Sequence, residues 1–176
     1  MDKGVKLILL SLLLLFIALL LQSTVFAVLK IHNIGPDLGL IVLIFIATSK
    51  GVMPGQTCGF LLGLLEGFAS GMPLAIGFNA FIKTILGFLF GLTEGTISVS
   101  SSLIPFFLAG AGTIMKGILS AIVVLIFGIP DRLSGDFWVF LGNIGIEAAY
   151  TAVLAPFIFL ILRRLKYLKP EKSEVY

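Results

Sequence analysis

The sequence predicts an all-α integral membrane protein, a single domain built as a bundle of six transmembrane helices. Of its 176 residues, 59% are hydrophobic and 12% are charged, against about 25% charged residues in ordinary soluble domains. The mean hydropathy is +1.17. Six apolar runs, separated by short polar segments, fill the chain. At roughly 20 residues for each span, they leave no room for a soluble domain.

The apolar runs define the helices in order. The first, 7–29, is predicted to stay as an uncleaved span, because it is much longer than the apolar core of a signal peptide and no small-residue cleavage site follows it. The second, 38–49, is short and is expected to be a tilted or partial span. Pro54 is a residue that can start the third helix. The other runs are 54–70, 74–93, 103–127 and 137–165. Since the connections are short, consecutive helices should be antiparallel neighbours.

The basic residues predict which side of the membrane each end faces. Lysine and arginine are enriched on the cytoplasmic side of membrane proteins. With six spans, the N-terminal lysines, Lys50 and the basic residues after the last span all share one side, whereas Lys30 and Arg132 face the other. The last group includes Arg163, Arg164 and Lys166. Both termini are therefore expected in the cytoplasm, with a short basic tail over 166–176. Lys50 and this group are expected to contact anionic lipid headgroups or the cytoplasmic side, and no nucleic acid.

Glycines recur every four residues in the third run, at Gly55, Gly59, Gly63, Gly67 and Gly71. A helix face without side chains lets a second backbone approach closely, which is how helices associate in lipid. The fourth run repeats the pattern with Gly87 and Gly91. Spans three, four and six are predicted to pack closely, and these glycines are predicted to receive the membrane helix of a partner.

Charged residues inside the apolar runs are the candidate functional groups, because each costs at least about 2.5 to 3.5 kcal/mol at the bilayer centre. Lys83, Lys116 and Glu147 lie near the middle of their spans, and Glu66 lies near the outer end of the glycine ladder. We expect Glu147 to pair with Lys116 or Lys83, as an internal ion pair that fixes helix rotation. A ligand or proton site, and contact with a partner's helix, are the alternatives.

Amides and reactive residues add little chemistry. Asn79 and Asn143 are expected to make hydrogen bonds between helices. The chain has one histidine, His32, and one cysteine, Cys58, so it has neither a histidine pair for a metal nor a nucleophile with a base. No phosphate-binding loop pattern occurs. An enzyme is not expected, nor is a cofactor or a metal.

The order of the polar and glycine motifs resembles that of the rod shape-determining protein MreD family. The first span ends in Gln22-Ser23, and Pro36-Asp37-Leu38 opens the second run. The segment GFLLGLLEGFASGMPLAIGFNAF follows, with Glu66 at the acidic position, where the family often has Asp, and Pro73 in the Gly-x-Pro-Leu turn. The likeness is strongest over 22–79 and only compositional beyond.

The resemblance implies a protein of the bacterial inner membrane without catalytic activity. Its fold would be similar to that of the six-helix substrate-binding subunits of energy-coupling factor transporters. Its partners would be the bitopic protein MreC and, further, the filament protein MreB, the glycosyltransferase RodA and a class B penicillin-binding protein. The sequence thus predicts a scaffold of the cell-elongation machinery, in which Glu66 acts as a polar lock for a docked helix. The alternative is a vitamin-binding transporter subunit, which the scarcity of Trp and Tyr disfavours.

Overall fold

A computed structural model describes residues 3–28, 30, 34–71, 73–96, 103–127 and 137–165. Those residues form six helices, and each helix overlaps one of the apolar runs. The helices are α1 (Lys3–Val28), α2 (Leu38–Lys50), α3 (Val52–Ser70), α4 (Pro73–Gly91), α5 (Ile104–Phe127) and α6 (Phe137–Leu162). His32, Arg132 and Lys166 lie outside the described residues.

The shortest helix, α2, occupies the centre of the bundle and contacts each of the other five. All its residues from Leu38 to Ser49 are buried, as expected for a helix that is apolar on every side. Phe45 of α2 meets Phe159 of α6 edge to face, with ring centroids 5.1 Å apart. The 13 residues of α2 extend about 20 Å at the helical rise, less than the roughly 30 Å of a bilayer's hydrocarbon core. By length, α2 crosses only part of a membrane.

Three glycines of α3, Gly55, Gly59 and Gly63, pack against α4 of the same chain. A Cβ atom at Gly59 would overlap the backbone of Lys83, and one at Gly63 would overlap the backbone of Ala80. Gly55 and Gly87 face each other, so that a Cβ on either would collide with the carbonyl group of the other. Successive contacts move toward the C-terminus of α3 and toward the N-terminus of α4, so the two helices are antiparallel. The contacts confirm that spans three and four pack closely.

The expectation that a partner helix occupies these glycines is therefore corrected. Gly55, Gly59, Gly63 and Gly87 contact the neighbouring helix of the same chain, and Gly91 lies against the backbone of Val52. Two other members of the ladder have different roles. Gly67 is buried in the bundle, whereas Gly71 ends α3 in the left-handed conformation, with φ 68°, and a Cβ there would meet nothing within 4 Å.

Helix α6 packs differently from the prediction that joined it to spans three and four. Its main neighbours are α5 and α2, and its small residues Ala148, Ala152 and Ala155 are buried. Gly142 and Gly145 have open space where a Cβ would stand. The small side chains of α6 thus serve close packing only on its inner face.

Three of the described helical segments are long and apolar enough to cross a membrane: Ile8–Phe26, Ile104–Phe127 and Trp138–Leu162. Leu38–Lys50 and Ile76–Gly91 are apolar but shorter. Many large apolar side chains of the long helices are exposed, including Leu13, Phe107 and Phe157. An apolar exterior of this extent is what a lipid environment favours.

Candidate functional site

Five charged side chains from five helical regions meet inside the bundle, and Asp37 is at their centre. Lys83 Nζ donates to both carboxylate oxygens of Asp37, at 3.0 Å to Oδ1 and 2.8 Å to Oδ2. Lys116 Nζ donates to Oδ2 at 2.8 Å. The two lysines come from α4 and α5, so a single carboxylate at the start of α2 joins three helices. We call Asp37, Glu66, Lys83, Lys116 and Glu147 the charge cluster.

The two glutamates complete the charge cluster from opposite sides. Glu66 of α3 accepts a hydrogen bond from Lys83 Nζ at 2.8 Å, and Glu147 of α6 pairs with Lys116. Burial decreases outward: the side chains of Lys83 and Asp37 are 3% and 5% exposed, whereas those of Glu66 and Glu147 are 16% and 22% exposed. Asp37 and Lys83 therefore form an inner core, and Lys116, which is 21% exposed, lies with the glutamates in an outer layer.

The position of the charge cluster follows from where α2 begins. The first N–H groups of a helix have no partner within it, and an unsatisfied N–H is costly in an apolar medium. Asp37 caps α2 by accepting from Leu40 N at 2.8 Å, and Gln22 Oε1 of α1 accepts from Leu38 N at 2.9 Å. The N–H of Asp37 itself donates to Thr151 Oγ1 of α6 at 3.1 Å. Gln22 and Asp37, which both belong to the family-like motifs, thus accept the first N–H groups of a helix that begins inside the bundle.

The energetics favour a structural role for the inner pair. A buried ion pair gains little over an apolar substitute, but removal of one partner costs about 3 to 5 kcal/mol because the other charge is left unpaired. Asp37 also lies at the positive end of the α2 dipole, which stabilises a carboxylate there. The charge cluster contains three acids and two bases, so with every group ionised it carries one excess negative charge.

At least three openings lined by described residues reach the charge cluster. The largest, about 670 Å³, lies between α1, α3 and α6 and includes Glu66 and Glu147 in its lining. A second opening of about 260 Å³ lies between α5 and α6 and also reaches Glu147, beside Lys116 and Asn143. A small cavity of about 80 Å³ is lined by Glu66, Asn79, Lys83 and Lys116, with Ile82 and Ser120. The glutamates are thus the members of the charge cluster that face the largest opening.

The expected pairing of Glu147 is confirmed, since its partner is Lys116. Sequence reasoning counted two acids and two bases in the spans and assigned Asp37 only to the family motif, so it missed the acid that joins both lysines. The available signal was that Asp37 directly precedes an apolar run, the position of a helix N-cap. Glu66, which was predicted to bond to a docked helix, already has a partner in Lys83 of the same chain.

The remaining predicted residues lie around this centre. Asn79 lines the small cavity and Asn143 the α5–α6 opening, and neither side chain makes a hydrogen bond within the part of the chain that the structure describes. Pro36 is buried beside Asp37, and Pro73 begins α4. Lys50 ends α2, whereas Arg163 and Arg164 form the turn after α6.

These basic residues lie at one end of the bundle. Asp37 contacts Thr151, and Phe45 contacts Phe159, so α2 and α6 run in parallel with matched register. Continuing the same register brings Lys50 to the level of Arg163 and Arg164. The charge cluster is at the opposite end of α2.

Comparison with known proteins gives one match. The model of a family described as rod shape-determining protein MreD matches residues 3–165. No curated protein and no solved structure matches the chain. The expected likeness to the substrate-binding subunits of energy-coupling factor transporters, and the alternative function drawn from it, therefore have no support.

Proposed function

The chain belongs to the rod shape-determining protein MreD family, and on that basis we propose that it is a non-enzymatic membrane scaffold of the bacterial cell-elongation machinery. Family membership implies a role in rod shape determination. The observation that carries the scaffold proposal is that the charges inside the bundle bond to one another: Asp37, Lys83 and Lys116 are joined by contacts of 2.8 Å. Such a cluster fixes the relative positions of helices and leaves the outer apolar surfaces for association.

The partner we propose is the membrane helix of a single-span protein such as MreC, with MreB, RodA and a class B penicillin-binding protein as further members of the assembly. Since α4 packs against Gly55, Gly59 and Gly63 of α3, the partner does not use those glycines. Exposed apolar side chains on α1, α5 and α6 offer other surfaces, among them Leu20, Phe107 and Phe157. Packing and interhelical hydrogen bonds are the forces available for helix association in lipid.

We further propose a multi-pass protein of the bacterial inner membrane with both termini in the cytoplasm. The shared level of Lys50, Arg163 and Arg164 supports this orientation, because basic residues mark the cytoplasmic side. At this surface they would also attract anionic lipid headgroups. The N-terminus of α2 and the charge cluster would then be reached from the periplasmic half of the bundle.

Co-purification tests the scaffold proposal. The full chain, carrying an affinity tag, is co-expressed with full-length MreC and purified in a mild detergent. The proposal predicts that MreC is recovered in a fixed ratio with the chain, and that an unrelated single-span membrane protein expressed at the same level is not. Recovery of a monodisperse chain without MreC would refute the proposed docking.

A further inference from the structure

The largest of the three openings that reach the charge cluster lies beside α1 and has Glu66 and Glu147 in its lining. One wall is the face of α1 that carries Phe16, Leu19, Leu20, Gln22, Ser23 and Phe26, and we call the side with Glu66 and Glu147 the floor. We call this opening the carboxylate groove. The interval from residue 16 to residue 26 corresponds to about 15 Å along α1, nearly three helical turns. A groove that follows a helix for this distance fits a rod better than it fits a compact metabolite.

The floor of the groove has acceptor capacity that the charge cluster does not use. Each glutamate meets a lysine through its Oε1 atom, and within the described residues no donor bonds to the Oε2 atom of either. Lys30 also lines the groove, but it forms no ion pair with Glu66 or Glu147 in that part of the chain. A carboxylate oxygen that lacks a donor in a partly apolar opening carries a desolvation cost. An occupant that brings a donor would remove this cost.

We propose that the carboxylate groove binds one membrane-spanning helix of another protein, and that this helix presents a lysine or arginine side chain at the depth of Glu66 and Glu147. The proposal rests on the proposed scaffold function and specifies the docking surface. Charge complementarity supports it, because with every group ionised the charge cluster carries one excess negative charge, and Lys30, which also lines the groove, is not bonded to it within the described residues. The form of the occupant follows from the medium: a helix satisfies its own backbone hydrogen bonds in lipid, and its apolar side chains match Phe16, Leu20 and Phe26 in the wall of α1. A lipid acyl chain would cover the wall but would bring no donor to the floor.

Site-specific photo-crosslinking in the complete chain tests the location. A benzophenone amino acid is placed at Leu20, in the groove wall, and in a matched variant at Leu21, its neighbour outside the groove lining. The two leucines are similarly exposed, at 47% and 44%, so insertion and labelling should be comparable. With co-expressed MreC in intact membranes, the proposal predicts a crosslink to MreC from position 20 that is about tenfold stronger than from position 21.

Removal of one floor charge tests the chemistry. Glu147→Gln keeps the shape of the side chain and removes its charge, so it should lower the amount of MreC recovered by about tenfold, the effect expected for the loss of a hydrogen bond between charged groups. A matched basic-to-apolar substitution in the MreC helix should reduce recovery equally, and the two changes together should cost little more than either alone. If the Glu147 variant does not yield folded protein, the crosslinking variants at positions 20 and 21 and the substitution in the MreC helix test the proposal.

The outcomes separate this inference from the scaffold proposal. If MreC co-purifies with the unmodified chain but crosslinks only from positions outside the groove, the docking site is wrong and the scaffold function stands. A crosslink from position 20 to a second copy of the chain, or to lipid alone, would also overturn the inference. If neither Glu147→Gln nor the substitution in the MreC helix changes the amount of MreC recovered, the proposed ion pair between the two proteins is wrong. If MreC does not co-purify with the unmodified chain, the proposed scaffold function itself fails.

Discussion

Asp37 and Lys83 are 46 residues apart in sequence, yet they form an ion pair at 2.8 Å inside the bundle, with side chains only 5% and 3% exposed. The carboxylate of Asp37 also caps α2 by accepting from Leu40 N. One side chain therefore stabilises the beginning of the central helix and holds α4 against it. Because Lys116 bonds to the same carboxylate, α5 is fixed by the same residue.

The contact between α3 and α4 predicts a strong effect of a single methyl group. Gly63→Ala should lower the free energy of unfolding by about 1 to 3 kcal/mol, the cost of overpacking, because the new Cβ would overlap the backbone of Ala80. Gly142→Ala in α6 is the matched control, since a Cβ there meets nothing within 4 Å. It should be neutral or stabilising by about 0.5 to 1 kcal/mol, because alanine favours a helix interior. Thermal unfolding in detergent measures both. Equal melting temperatures for the two variants would contradict the packing described.

The start of α2 predicts a role for Gln22. Gln22→Leu replaces the polar amide with an apolar side chain of similar size and removes the acceptor for Leu38 N. A buried N–H left without a partner costs about 1 to 3 kcal/mol, so the variant should unfold at a lower temperature. Ser23→Ala is the control, because Ser23 Oγ is exposed and donates to the carbonyl of Leu20 within its own helix. Hydrogen exchange at the Leu38 amide should rise in the Gln22 variant alone. Protection that matches the unmodified chain would exclude the cap.

The proposed orientation predicts opposite accessibility of two exposed basic positions. In a Cys58→Ala background, which removes the buried thiol, Lys30→Cys and Arg164→Cys each introduce one cysteine. A membrane-impermeant maleimide added to intact bacteria whose outer membrane has been permeabilised should label position 30 and leave position 164 unlabelled. After lysis, both should react. Labelling of position 164 alone in intact bacteria would indicate the opposite orientation. Labelling of both positions would contradict an even number of spans.

The helices could be predicted from the sequence because apolar length and periodicity are local properties. An ion pair of Glu147 with Lys116 or Lys83 was also predictable, since an unpaired charge in a span is too costly to persist. The role of Asp37 was not predictable, because its sequence position suggests the outer end of a span. Asp37 reaches the lysines only because the short, wholly buried α2 begins inside the bundle. Likewise, Gly59 and Gly63 indicate close packing, but a glycine face fits an internal helix and a foreign one equally well. Whether α4 fills it depends on the turn after α3 and on the complementary small residues of α4.

A double-mutant cycle on Asp37 and Lys83 tests the central claim most directly, namely that the buried charges act as one structural unit. Asp37→Asn retains a capping side chain and removes the charge, and Lys83→Met retains length and removes the ammonium. The free energy of unfolding is measured for the unmodified chain, each single variant and the double variant. Each single variant should be destabilised by about 3 to 5 kcal/mol, and the double variant should be less destabilised than the sum by at least about 1 kcal/mol. Strict additivity of the two substitutions, with no coupling, would contradict the account.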